Sequence, residues 1–67
     1  MTLQDAKREL ERIRATAQDL QDDEAASSLE RALLIDAIEA VIMGKIEIKT
    51  LEEIMRCQTI QFRRWGP

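Results

Sequence analysis

The chain has 67 residues, 45% of them apolar and 34% charged, and its ten basic and thirteen acidic residues leave a net charge of −3. That length holds one domain, residues 1–67, whose core contributes only a few kcal/mol beyond the entropy cost of folding, and the mild acidity argues against a general affinity for nucleic acid or anionic lipid. With no His and the single Cys57, the chain lacks a zinc-type ligand set, an intrachain disulfide and every catalytic constellation that depends on imidazole.

Taken in order, Thr2 is a candidate N-cap with Asp5 three residues on in a capping-box position. Leu3, Ala6, Leu10, Ile13, Ala17 and Leu20 then recur at alternating spacings of three and four, a narrow heptad-type seam whose small Ala6 and Ala17 permit close approach. The predicted helix runs over 2–21. Its other face carries Asp5/Arg8, Lys7/Glu11, Glu9/Arg12 and Glu11/Arg14 at i,i+3 or i,i+4, pairs that favour solubility more than stability. The seam fails at Glu24 and Ser27. A turn near 21–24 is favoured, with Asp22 or Asp23 as the cap of a second helix over 24–43, antiparallel to the first; the other reading has Ser27 capping a helix from Ser28, with Glu30 completing a capping box.

The second helix looks like the organising element. At about 100° per residue, Leu29, Leu33, Leu34, Ile35, Ala37, Ile38, Ala40, Val41 and Ile42 span an arc of roughly 240°, leaving Asp36 and Glu39 to mark the polar sector. A surface helix needs a stripe only a little over ~100° wide. This arc therefore calls for covering from two or more sides, by the rest of the chain or by a second copy. A charge at its centre, Ile38→Asp, is expected to unfold the domain.

Gly44 stands where a left-handed C′ residue would end that helix. Lys45 to Lys49, KIEIK, alternates with period two but is short for a strand, so it reads as an extended linker that tucks Ile46 and Ile48 under the core, or as a strand paired with a second chain. Thr50 and Glu53 then suggest a capping box opening a third helix over 50–64, folded across the wide face of the second. On it Leu51, Ile54, Met55, Phe62 and Trp65 form one apolar face and Ile60 points the opposite way.

The fold class that follows is all-α: a small three-helix domain, an antiparallel hairpin plus a C-terminal helix, completed by oligomerisation. Without a disulfide or metal site to stabilise so small a core, a homo-oligomer is expected, most simply a two-fold dimer through Leu34, Ile35, Ile38, Ile42, Ile46 and Ile48. Arg56, Ile60, Phe62, Arg63, Arg64 and Trp65 combine aromatic and guanidinium groups in the manner of binding hot spots and form the candidate surface for another protein. The expected role is non-catalytic protein–protein interaction, as a small adaptor, co-chaperone or inhibitor, with no cofactor.

Two other roles compete. Ala40-x-x-x-Gly44 matches the start of a helix-turn-helix, with the Arg-bearing third helix as its reader, yet Thr50 stands where that motif wants an apolar residue and Glu52 and Glu53 would face phosphate. Asp36, Glu39, Glu52 and Glu53 are the only carboxylate set for a Mg²⁺-dependent nucleotide pyrophosphohydrolase, and the first two read more simply as a solvated edge. The N-terminus has no apolar stretch of the signal-peptide kind and no apolar run reaches the ~20 residues of a membrane span, so a cytoplasmic location is expected.

Overall fold

A computed structural model describes residues 1–63. Among these residues it has three α-helices and no strand: α1 (Leu3–Arg14), α2 (Asp23–Ile42) and α3 (Ile48–Met55). A π-helical turn, Ala15–Asp19, prolongs α1, and a 3₁₀ turn, Arg56–Thr59, prolongs α3. The all-α hairpin with a third helix is the architecture that the apolar periodicity implies.

The first cap forms as its residue types dictate. The Thr2 hydroxyl accepts from the Asp5 amide and the Asp5 carboxylate accepts from the Thr2 amide, each at 3.2 Å, so two of the orphan donors of the first turn are satisfied reciprocally. Asp22 caps α2, its carboxylate accepting from the Ala25 amide at 3.0 Å. Of the four expected ion pairs along α1, Arg8–Asp5 and Arg14–Glu11 close, at 3.7 and 3.0 Å.

The seam of α1 is buried at Ala6, Leu10, Ile13 and Ala17, but Leu20 is 73% exposed. The π turn accounts for this. The Thr16 hydroxyl donates to the Arg12 carbonyl at 2.8 Å, the Leu20 amide reaches back five residues to Ala15, and the Asp22 amide closes on Thr16. The wider turn carries Leu20 out of the seam direction, and Gln21 then reverses the chain with φ +54.

At the far end of α2 the chain stops as Gly44 predicts. Gly44 has φ +66, its amide donates to Val41 and the Lys45 amide donates to Ala40, the paired bonds of a Schellman ending. The linker places Ile46 against the core while Ile48, in the first turn of α3, stays exposed, so one of the two isoleucines is tucked rather than both.

The third helix departs from its expected form. It begins at Ile48 with Glu47 as an N-cap that makes no side-chain bond, so the Thr50–Glu53 box does not form. Starting earlier puts Thr50 on the same side as Ile54 and Cys57, and all three are buried; core burial here outweighs one local cap, worth about 1 kcal/mol. The α-helix ends at Met55 rather than at 64. After the 3₁₀ turn Ile60 is extended, and it is buried at 5% exposure instead of pointing away from the core. Arg64 and Trp65 lie outside the described residues.

Packing also differs in its centre. Both α2 and α3 lie against α1, and α3 touches α2 less than it touches α1. The core is formed by Ala6, Leu10, Ile13 and Ala17 of α1 and its π turn, Ala26, Leu33 and Ala37 of α2, and Ile54, Cys57 and Ile60 from the last segment. Among the described residues the narrow seam is thus covered from two sides, and the wide arc of α2 is not.

Two measurements check this account. Gln21→Gly relieves a left-handed residue with a Cβ and is expected to stabilise the fold by about 0.5–1 kcal/mol, a rise of a few degrees in Tm; an unchanged or lower Tm counts against the reversal at Gln21. The Thr2 amide and hydroxyl hold the Asp5 carboxyl below its ordinary pKa. A depressed folded value makes the cap's contribution complete above the unfolded pKa and lost as pH falls through the folded one, so acid titration of wild type should show a destabilisation below about pH 4 that Asp5→Ala lacks.

Candidate functional site

Within α2 the apolar residues divide between two directions. Leu33, Ala37 and Ala26 point into the core and Leu29 and Leu34 are half-buried beside them, whereas Ile35, Ile38, Val41 and Ile42 look outward. On a regular helix the outward set is centred about a third of a turn from the buried set. Ile38 is 60% exposed and Ile42 79%. An α-helix with a second apolar face turned to solvent lacks a covering for it within the described chain.

Between this face and α3 runs a groove of about 360 Å³ lined by Leu34, Ala37, Ile38, Val41, Ile42, Leu51, Ile54 and Met55. No polar side chain lines it, so it offers neither a hydrogen bond to orient a polar ligand nor a group to act on one. Its chemistry suits aliphatic side chains. The exposed Met55 forms part of the α3 wall, and methionine adapts to varied apolar surfaces.

Of the residues expected to mediate self-association, Ile35, Ile38, Ile42 and Ile48 are exposed, while Leu34 and Ile46 are half-buried against the core. Val41, Leu51 and Met55 join the face without having been singled out for it. Val41 is within the 240° arc, but the angular pattern alone does not say which part of an arc remains open. Leu51 and Met55 were expected to be covered by α2, and the placement of α3 beside α1 leaves them at the groove.

Of the expected C-terminal surface, Arg64 and Trp65 lie outside the described residues and the other four are placed differently from one another. Ile60 is buried and Phe62 is half-buried against the core, so neither side chain stands out toward a partner. Arg56 is exposed and pairs with Glu53 at 3.5 Å, and Arg63 is exposed. The 3₁₀ turn and the extended Ile60 separate the two arginines, so they do not share one reading helix.

The carboxylates do not converge either. No group of three or more His, Cys, Asp or Glu side chains lies close enough to hold a metal ion among the described residues. A broader cleft beside the α1–α2 turn, about 650 Å³, mixes Arg12, Thr16, Leu20, Asp22, Glu24 and Ser28 and has no His, Cys or Lys in its lining. Cys57 is buried in the core, away from any reagent. Among the described residues no helix is long and apolar enough to cross a membrane.

Exposure reverses the expected effect of a charge on α2. Ile38→Asp puts a carboxylate in solvent and should retain the helicity and monomer fold of wild type, whereas Ile13→Asp, at a fully buried position, should unfold the chain at a cost of several kcal/mol. Far-UV circular dichroism with thermal melts separates the two, and loss of structure in Ile38→Asp would show that the face is covered. No family model, curated protein or solved structure matches this chain.

Proposed function

We propose that this chain is a non-catalytic protein-interaction module of the cytoplasm, a small adaptor, co-chaperone or inhibitor, that acts through the outward face of α2 and the groove beside it. The observation that carries the reading is the exposure of Ile35, Ile38, Val41 and Ile42 on one helical face. Each such side chain gives at most roughly 1.5–3 kcal/mol on full burial, less in proportion for groups that are 48–79% exposed to begin with. The groove's wholly aliphatic lining supports a packed helix as its occupant, in the helix-in-groove mode read at i, i+3, i+4 and i+7. A homodimer is the simplest form of that association, because a two-fold axis lets one apolar patch cover its own copy. The cytoplasmic setting is supported by a lone, buried cysteine, which forms no intrachain disulfide.

Sedimentation velocity and equilibrium over a wide concentration range test this reading. A mass rising from 7.7 kDa toward twice that value, with a Tm that increases with concentration, is the expected result. Ile42→Asp should abolish the association without loss of helicity. A homogeneous monomer with a concentration-independent Tm would remove the homodimer from the proposal.

A further inference from the structure

The outward face of α2 extends beyond its isoleucines. Arg31, Ile35, Ile38 and Ile42 recur at spacings of four, three and four, a heptad-type seam with one cation at its N-terminal end. Arg31 lies within about 20° of Ile38 around the helix. Glu39 stands on one flank of the seam, and among the described residues neither Arg31 nor Glu39 makes an ion pair within the chain. The two ends of α2 carry opposite charge. Asp22, Asp23 and Glu24 open it, while Lys45 and Lys49, with Glu47 between them, follow its last turn.

These charges distinguish between the two ways a second copy can lie on the face. A parallel two-fold pair sets every seam residue against itself, so Arg31 meets Arg31 at the edge of an apolar interface and the acidic ends meet each other, both repulsive. An antiparallel pair with its axis between Ile35 and Ile38 does the opposite. Ile35 then packs on Ile38 of the second copy and the aliphatic stem of Arg31 lies on its Ile42. The guanidinium, near the centre of the seam, comes within about one turn of the Glu39 on the copy's flank. The acidic starts of the two α2 helices then lie at opposite ends of the pair, away from each other.

We infer that the outward face of α2 is occupied by α2 of a second copy, antiparallel, with the two-fold axis between Ile35 and Ile38. The proposal rests on the interaction-module reading and gives that face its partner and register.

Disulfide trapping tests it, with wild type as the control for Cys57, which is buried. In the antiparallel register, residue 31 of one copy opposes residue 42 of the other. Two copies of residue 42 are then offset by about 16 Å along the axis, too far for a bond that needs Cα atoms within ~7 Å. Arg31→Cys and Ile42→Cys should each give no linked dimer alone under mild oxidation, and a mixture should give the heterodimer, with helicity unchanged. Linking of Ile42→Cys to itself would establish a parallel pair and overturn the register while leaving the face as the interface. A dimer in sedimentation that links in no combination would place the interface elsewhere and overturn the proposal. A monomer at every concentration would overturn it together with the homodimer.

Discussion

The close approach of two helices to the seam of α1 is the contact on which the rest of the structure depends. Ala6 and Ala17 are small enough to admit a neighbour, and Leu10 and Ile13 fill the space between. Ile13 is among the largest fully buried side chains, together with Ile54 and Cys57 of the last segment. Protein interiors are close-packed, so these side chains set where α3 and the 3₁₀ turn can lie. With α3 held against α1, the earlier start of that helix and the burial of Thr50 follow. So does the inward turn of Ile60, which completes the core where the α-helix has already ended.

Committing α3 to α1 leaves α2 with more apolar surface than the described residues cover. A helix can bury one sector against one neighbour, and the sector of Ala26, Leu33 and Ala37 meets α1 and its π turn. The sector of Ile35, Ile38 and Ile42 lies beyond that contact. Only one edge of it reaches α3, across the aliphatic groove. The open face is thus a consequence of topology, since residues 48–59 make a short last helix and turn that cannot lie on α1 and also span α2.

The helix count and the antiparallel hairpin were legible in the sequence because they rest on local rules. Heptad spacing from Leu3 to Ala17, the Thr2–Asp5 box, the Asp22 cap and the left-handed Gly44 all act within one or two turns. What was not legible depends on tertiary choice. The Thr50 box satisfies the same local rule as the Thr2 box, yet it is overridden because Thr50 must enter the core with Ile54 and Cys57. Leu20 fits the seam in register, and only the Thr16 back-bond and the π turn remove it. Likewise the arc of α2 announces that it needs covering, while the residues left open depend on where α3 packs. Apolar periodicity gives the directions a helix must bury but carries no label for which neighbour buries them.

The character of the core bears on what an occupant of the open face would do. Two of the three buried side chains of α2 are alanines, so it is held in the core by close approach and by Leu33, with Leu29 and Leu34 half-buried at the margin. In a chain of this size total stability is a small difference between large terms. Any partner that binds the folded face and not the unfolded chain adds RT ln(1 + [L]/Kd), about 2.7 kcal/mol at a hundredfold excess over Kd, a large fraction of what so small a core contributes by itself. That stabilisation acts on α2, whose position beside α1 determines whether the groove exists at all. Binding of any occupant at this face would therefore be coupled to order in the hairpin.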